Sequence, residues 1–445
     1  MADEFSSPAR RTEGTVVPHD PRTFTLGVIN GVLFRVASTF IDPTKVLSAF
    51  ILRLTGSEVW VGVMAAFSQA GFLWPQLLVS HVAASSPRKM PLYYLSAAAR
   101  LSAWGLWLAA LLLWTDQPSA LGVAFLLLYP LYTSAIGLGG VPFMDIISKT
   151  IPPQRRGRFF ALRSFFGGLL GFSAGFVIRY VLSERSGLSF PWNYFILFGG
   201  AYLLLLASQL AFCLIREPPG PVSPRRENFL TFLRHGPRLL RADPDFRGLL
   251  IWRAWTSFSL MPRAFFVPYA LRILGAQQEH VGLFVSVGVL STALSVMPWG
   301  RVGDEQGNRR LLIVTGILRM FVPLLALLTP LVPKEEGNLR IFGFNLHLTL
   351  PVAFFLLVVA LGDATLIGSS LGSMNYLIEL GTPAERPIYL GFMNTFSAPL
   401  VLAPLIGGLI LKLASFPVLF IVALGCSLCA VHAAYRLREP REWAE

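Results

Sequence analysis

Residues 300–310, GRVGDEQGNRR, form a short charged segment between two apolar runs, at 281–300 and 311–332. A helix rises about 1.5 Å per residue, so roughly 20 apolar residues cross the ~30 Å hydrocarbon core of a bilayer. Both neighbouring runs have about that length. The segment therefore predicts a tight polar connection between two membrane-spanning helices.

The same alternation of apolar runs and polar punctuation fills the rest of the chain. Of its 445 residues, 54% are hydrophobic and only 14% are charged, which lies outside the usual balance of soluble domains. These values predict an all-α polytopic membrane protein. Twelve runs have spanning length, near residues 24–53, 59–82, 91–113, 119–148, 160–183, 192–215, 248–273, 281–300, 311–332, 347–379, 388–411 and 415–436.

The loops predict the orientation, because Lys and Arg are retained on the cytoplasmic side of a membrane protein. If both termini are cytoplasmic, most loop cations fall on that side, including the Arg residues between 216 and 247. The net charge of +13 is then a consequence of topology, and nucleic acid is not an expected partner. We predict cytoplasmic N- and C-termini.

Local patterns recur between the two parts of the chain at a spacing of about 220 to 230 residues. Pro43 and Pro262 both lie inside apolar runs, and Arg-Glu-Pro closes each part at 216–218 and 438–440. The repeat predicts two pseudo-symmetric six-helix bundles. The predicted divisions are a tail at 1–22, a bundle at 23–216, a linker at 217–247, a second bundle at 248–437 and a tail at 438–445.

With its pattern G-x-x-x-D-x-x-G-x-R-R, the 300–310 segment resembles the cytoplasmic signature loop of the major facilitator superfamily. The resemblance implies a secondary active transporter that works by alternating access. Its two bundles would rock around a central cavity lined mainly by helices 1, 4, 7 and 10 of this count. An integral protein of the bacterial cytoplasmic membrane, acting as a monomer on a small-molecule substrate, is the corresponding expectation.

The resemblance also implies a cytoplasmic gate of ion pairs around this loop, in which glycines permit tight turns. Asp304 would pair with Arg386. Arg309 or Arg310 would pair with Glu379 or Glu385. The alternative is a solvated charged loop that only fixes topology. The gate residues would be Gly300, Asp304, Gly307, Arg309, Arg310, Glu379, Glu385 and Arg386.

The corresponding loop of the first bundle departs from this pattern. It keeps a basic pair, Arg88 and Lys89, but has no Asp. Asp145, at the cytoplasmic end of helix 4, is the nearest acid that either cation could meet. We therefore expect a differently built gate on this side, or a solvated helix end.

Ionisable residues within the apolar runs are candidates for a binding site, because each costs roughly 2.5–3.5 kcal/mol at membrane depth and should face protein or a wet cavity. Helix 1 carries a polar stripe at steps of three or four residues, and helices 7 and 10 add further charges. Outside these three helices, the basic residues within the apolar runs are Arg100, Arg163 and Arg319, and most of them are interpreted as able to reach an interface. The candidate substrate and coupling residues are Arg35, Asp42, Lys45, Arg253, Trp255, Arg263, Asp363 and Asn375.

These candidates include four cations and two carboxylates, which favours an anionic or carboxylate-bearing substrate. Asp363 or Asp42 could also bind and release protons in each cycle. The alternatives are ion pairs that only hold helices together, a sensor or lipid-handling protein on the same fold, and a multidrug-type proton antiporter. Motifs of membrane enzymes are missing, so we expect no catalytic residue, cofactor or metal.

Overall fold

The computed structural model describes residues 20–220, 240–241, 243–341, 344–380 and 386–440. Within them the chain is mostly α-helical, with one β-hairpin made of β1 (Glu336–Ile341) and β2 (Phe344–Thr349). The helices are α1 (Pro21–Phe40), α2 (Val46–Thr55), α3 (Glu58–Ser85), α4 (Met90–Leu113), α5 (Pro118–Thr150), α6 (Pro153–Leu182), α7 (Trp192–Cys213), α8 (Pro244–Ser259), α9 (Phe266–Arg272), α10 (His280–Gln306), α11 (Asn308–Leu328), α12 (Leu350–Leu380), α13 (Arg386–Ser397), α14 (Ala403–Leu413) and α15 (Phe416–Arg436).

Ten helical segments of the described residues are long and apolar enough to cross a membrane. Large apolar side chains such as Leu113, Leu294 and Leu413 are exposed on their outer faces, as expected where lipid is the solvent. The chain is therefore an all-α polytopic membrane protein apart from the hairpin. The count of twelve would also require α3 and the broken pair α8–α9, and it stays a prediction, as does the side of the termini.

Two groups of helices pack among themselves. In the N-terminal bundle, α1 packs on α6 and α7, and α5 packs on α3 and α4. In the C-terminal bundle, α12 packs on α10 and α11, and α15 packs on α8 and α11. The two bundles meet along two seams, α6 against α10 and α3 against α14. A space bounded by both bundles lies between these seams.

The first and seventh predicted spans are each broken, where the sequence analysis treated them as continuous helices. The break after α1 contains Pro43, and the break between α8 and α9 is a 3-10 turn, Met261–Phe265, that contains Pro262. Proline lacks a backbone N–H and its ring clashes with the preceding turn, which explains both interruptions. Asp42 and Lys45 therefore leave the regular stripe of helix 1 and enter a turn.

Other boundaries also differ from the prediction. The tenth run was expected to begin a helix at residue 347, but the hairpin extends to Thr349 and α12 begins at Leu350. The α8 helix begins at Pro244 rather than 248, because Asp243 caps its N-terminus by accepting from the N–H groups of Asp245 and Phe246. Most of the predicted linker, at 221–239 and 242, lies outside the described residues.

An aromatic cluster holds α2 in place directly after the first break. The ring of Phe50 packs 5.2 Å from that of Phe198, 5.2 Å from Tyr194 and 5.7 Å from Trp107, and all four side chains are buried. Buried aromatic pairs contribute area and about 0.5–1.5 kcal/mol of specific packing. Because Lys45 immediately precedes α2, this cluster also positions the Lys45 side chain.

Candidate functional site

The two helix breaks bring three charged side chains together between the bundles. Asp363, in the middle of α12, accepts from Lys45 Nζ at 3.0 Å through Oδ2. Its other oxygen, Oδ1, accepts from Arg263 Nη2 at 2.7 Å and Nε at 3.1 Å. Asp363 and Lys45 are buried, at 5% and 7% exposure. The buried carboxylate is thus compensated by one cation from each bundle.

The turn after α1 has its own internal support. Asp42 Oδ1 accepts from the backbone N–H and the hydroxyl of Thr44, at 2.8 and 2.7 Å. Its Oδ2 lies 3.9 Å from Lys45 Nζ. Lys45 therefore stands between two carboxylates, with the shorter contact to the partner on the other bundle. Broken helices of this kind provide backbone and side-chain groups for binding at membrane depth.

A cavity of about 510 Å³ adjoins this triad of Lys45, Arg263 and Asp363. Its walls come from both bundles, and its polar lining includes Ser38 and Thr292. Four cations and two carboxylates contribute to the lining. These charged residues are Arg35, Asp42, Lys45, Arg163, Arg263 and Asp363. We call this space the central cavity.

The structure thus brings five of the eight predicted site residues to one cavity and places three elsewhere. Arg253 donates from Nε to Ser397 Oγ at 2.8 Å, against the end of α13. Trp255 is 39% exposed on α8. Asn375 is exposed on α12, twelve residues and about 18 Å of helix beyond Asp363. Residues of the same predicted helix therefore do not all face the same cavity.

Arg163 is a cavity residue that sequence reasoning missed. Its Nη1 donates to the carbonyl of Gly27 at 2.5 Å and to Asn30 Oδ1 at 3.2 Å, and its guanidinium lies 4.8 Å from the Phe143 ring centroid. Arg100 and Arg319 are also buried, at 4% and 3% exposure. The interpretation that most of these three cations reach an interface is therefore wrong, because two of them are buried inside the protein. A polar partner one helix away, such as Asn30, was the available signal for Arg163.

In the predicted gate, Arg309 and Arg386 make contacts outside the expected pairs. Gly307 adopts φ of 85°, the tight turn that the motif predicts. The N–H of Arg309 donates to Glu439 Oε2 at 3.1 Å, and its Nη2 donates to the Tyr435 carbonyl at 2.9 Å. Arg386 Nε donates to the Ile378 carbonyl at 3.0 Å.

Asp304 and Arg310 are exposed, and Glu379 is half-buried. A Cβ on Gly300 would meet open space. Glu385 lies outside the described residues. The pairings proposed for Asp304, Glu379 and Glu385 therefore stay predictions.

In the N-terminal bundle, the acid that contacts Lys89 is Glu217 rather than Asp145. The Glu217 carboxylate accepts from the backbone N–H groups of Lys89 and Met90 at 2.7–2.8 Å, and from Lys149 Nζ at 2.9 Å. Asp145 pairs with Lys149 at 2.5 Å, one helical turn along α5, instead of with Arg88 or Lys89. Arg88 is exposed.

Glu217 and Glu439 are the acids of the two Arg-Glu-Pro repeats, and each accepts from the N-terminus of a helix that follows a predicted gate loop. In the sequence, these repeats indicated only how the two halves align. Their positions carried a second signal, since a carboxylate at a helix N-terminus is a favourable cap. The repeat therefore marks equivalent contacts as well as equivalent chain positions.

Contacts between the bundles concentrate at the end where α6 ends and α10 begins. Arg179 Nη2 lies 3.5 Å from Glu279 Oε1, and Tyr194 donates to Gln278 at 2.9 Å. On the other seam, Arg272 pairs with Glu58. The bundles are thus held together at the end of the molecule opposite the start of α1.

Known protein families and solved structures share features of this architecture. The family model of the Major Facilitator Superfamily matches residues 263–444. The fold is similar to that of a D-xylose-proton symporter, with a TM-score of 0.66 and 16% identity, covering 94% of this chain and 98% of that chain. For the nucleoside transporter NupG the TM-score is 0.65 and the identity 14%, covering 94% and 99%.

A bacterial homologue of the iron transporter ferroportin, in an inward-facing state, has a TM-score of 0.67 and 13% identity, covering 94% and 98%. At these identities the likeness shows the fold alone. No curated protein matches the sequence.

Proposed function

Because this chain is a membrane transporter of the Major Facilitator Superfamily, we propose that it carries a small organic anion across the bilayer by alternating access, with the anion bound in the central cavity. One observation carries the proposal. The charged lining of the cavity contains four cations and only two carboxylates, and both carboxylates already contact Lys45. The uncompensated charge belongs to Arg35 and Arg163 and favours an anionic solute.

The Lys45–Asp363–Arg263 triad is the switch in this proposal. An anion that enters the central cavity competes with Asp363 for Arg263 and Lys45, because all three groups meet at the cavity wall. Lys45 belongs to the N-terminal bundle, whereas Asp363 and Arg263 belong to the C-terminal bundle. Displacing Asp363 from Lys45 therefore removes a contact that ties the bundles together at membrane depth.

Proton coupling follows from the same competition. An Asp363 carboxylate that loses a cation in this buried place is left with a costly charge, and taking up a proton removes that cost. One proton would then move with the anion. The triad supports Asp363 over Asp42 as the coupling acid, because Asp363 is the more buried of the two.

The loop charges and the position of the contacts support one state and one orientation. If the Lys- and Arg-rich side is cytoplasmic, the end joined by Arg272–Glu58 and Arg179–Glu279 faces away from the cytoplasm. The central cavity would then be accessible from the cytoplasm. In this orientation the chain is in an inward-facing state, with both termini inside the cell.

Flux into proteoliposomes tests the proposal. We expect purified wild-type protein to move at least one labelled carboxylate or phosphate ester, with a rate that depends on an imposed pH gradient. Asp363→Asn should abolish the gradient dependence, whereas Asp116→Asn, on an exposed loop, should keep it.

Movement of cationic solutes alone would contradict the anionic substrate. An unchanged pH response of Asp363→Asn would contradict the coupling role. Specific binding without movement under any gradient would instead support the sensor alternative.

A further inference from the structure

A second cavity, of about 580 Å³, is lined entirely by residues of the N-terminal bundle. Phe34 and Arg163 line both this cavity and the central cavity, so the two spaces adjoin. Arg100 supplies a second cation to its wall, and the polar groups of Gln76 and Tyr93 also contribute. Among the described residues that line it, none is a carboxylate. We call this space the N-bundle cavity.

Arg100 is buried here with an incomplete set of partners. Its side chain is 4% exposed, its Nη2 donates to Ser96 Oγ at 3.2 Å, and its guanidinium lies 5.4 Å from the Phe34 ring centroid. Its Nε has no hydrogen-bond partner in the part of the chain that the structure describes. A buried guanidinium without a carboxylate is costly, and an anion in the cavity would remove that cost.

The internal repeat provides a comparison for this residue. Arg319 follows Arg100 by 219 positions, the same spacing that relates Pro262 to Pro43. Arg319 is equally buried, but it donates to the Thr365 carbonyl at 2.9 Å and to the Ser369 hydroxyl on α12. The space beside it is only about 20 Å³, too small for a solute. In the C-terminal bundle the equivalent arginine is therefore enclosed by protein.

The N-terminal bundle lacks the hydroxyl that binds Arg319. Pro153 and Pro383 are 230 positions apart, and the same spacing places Gly139 opposite Ser369. A Cβ on Gly139 would lie 3.1 Å from Arg100 Nη2, so this position faces the guanidinium but has no group to offer it. Both arginines keep an Nε without a partner among the described residues. Arg319, however, has two acceptors on α12 in an enclosed space, whereas Arg100 has one acceptor and opens into a cavity.

We infer that Arg100 and Arg163 form a second anion-binding site, in the N-bundle cavity, for the carboxylate or phosphate group of a small aromatic or apolar organic anion. The two guanidinium groups take the charge, and Phe34 and Phe143 supply rings beside them. The site rests on the proposed function only in that the transported anion is its expected occupant. Because the N-bundle cavity adjoins the central cavity, this second site lies beside the proposed transport route.

Equilibrium binding tests this inference separately from transport. Benzoate and phenyl phosphate are the probes, with benzyl alcohol and benzylamine as neutral and cationic analogues, and the full-length protein is held in lipid nanodiscs. We expect Arg100→Gln to weaken binding of at least one anion by about tenfold or more, the effect of losing one charge-assisted hydrogen-bonding group. Benzyl alcohol and benzylamine should bind neither to wild type nor to Arg100→Gln.

Arg319→Gln is the matched control, because it removes the equivalent buried cation from the enclosed position. It should leave anion affinity within about twofold of wild type, a change of only ~0.4 kcal/mol. Arg100→Lys keeps the charge, and partial recovery of affinity would distinguish anion binding from a change in packing. Size-exclusion profiles and thermal midpoints without ligand establish that each variant is folded.

Equal anion affinity of wild type and Arg100→Gln would overturn the proposal, as would failure of wild type to bind either anion. Loss of binding in Arg319→Gln as large as in Arg100→Gln would overturn the asymmetry on which it rests. Because binding is measured without a gradient, the site can fail while the flux experiment succeeds, and the reverse is also possible.

Discussion

At the scale of single residues, Asp363 is the group on which the site is built. Both of its oxygens are occupied, one by Lys45 and one by Arg263, and it is 5% exposed. A buried ion pair loses much of its electrostatic gain to desolvation, so this triad contributes less to stability than its geometry suggests. Removing one member would leave an uncompensated charge. The triad therefore joins the bundles at a modest gain in stability, which suits the switching role proposed above.

Gly288 on α10 keeps the space that the triad needs. A Cβ at this position would collide with Asp363 Oδ2 and lie 2.9 Å from Lys45 Nζ. We expect Gly288→Ala to displace the carboxylate and to lower both transport rate and thermal midpoint, at an overpacking cost of about 1–3 kcal/mol. Flux and thermal unfolding in detergent measure the two effects.

Gly168→Ala is the control for this substitution. It lies in α6, where a Cβ would meet nothing within 4 Å, so it should preserve transport and leave the midpoint equal or higher. Full transport by Gly288→Ala would show that the carboxylate position tolerates change and would contradict the expected effect.

At the scale of elements, the two broken helices decide where charge can lie within the membrane. Pro43 and Pro262 end regular helix in equivalent spans, and Lys45 and Arg263 each follow within two residues. A turn frees these side chains from the fixed 3.6-residue period of a helix. Two cations from different bundles can therefore converge on one carboxylate, which a continuous polar stripe would not predict.

Helix caps are a second feature by which the helices are stabilised. Glu217 accepts from the N–H groups of Lys89 and Met90 and pairs with Lys149, and its side chain is nearly fully buried. Removing it leaves two N–H groups at the start of α4 without their acceptor, and Lys149 keeps only Asp145 as a carboxylate partner. We expect Glu217→Ala to cost about 2 kcal/mol and to lower the thermal midpoint.

The comparison for this change is Glu184→Ala, at an exposed 3-10 turn on another loop. It should leave the midpoint close to wild type, because surface substitutions away from caps usually cost under ~0.5 kcal/mol. If both variants unfold at the same temperature, the cap does not contribute as the distances suggest.

At the scale of the whole molecule, the contacts between the bundles set which end is closed. The alternating access proposed above requires that these contacts be weak enough to break in each cycle. The Arg272–Glu58 pair is suited to this, since 39% of the Arg272 side chain is exposed and exposed ion pairs contribute only about 0–1 kcal/mol. The closed end is therefore held by several contacts that are each weak.

Reversing one charge of this pair should shift the balance between states. We expect Arg272→Glu to favour opening at the sealed end by up to about fivefold, and Glu58→Arg added to it to restore the original balance. Spin labels on Gly157→Cys and Gly300→Cys measure the distance between the two bundles at the end opposite the sealed one. A greater population of short distances between these labels reports the change.

Arg185→Glu changes the same charge on an exposed turn at the same end, so it controls for net charge. An equal shift in Arg185→Glu would assign the effect to the surface potential rather than to the ion pair. If Arg272→Glu combined with Glu58→Arg does not restore the distances, the ion pair is likewise not the cause of the shift.

The amino-acid sequence alone predicts that the chain lies in a membrane, where most of its helices run, and which prolines and acids are equivalent in its two parts. Hydropathy and repeat spacing are properties of the chain alone, so Pro43, Pro262, Glu217 and Glu439 could be located before any fold was known. Asp363 was identified in the same way, because a charge in an apolar run is conspicuous.

Which of these charges meet depends on how the helices pack in the fold. Lys45 and Asp363 are 318 positions apart, and their contact depends on how α10 and α12 pack against the turn after α1. Arg253 and Arg263 had equal standing in the sequence, yet only Arg263 reaches the central cavity. The face that a side chain presents is set by packing between helices, and composition or spacing within one helix does not contain that information.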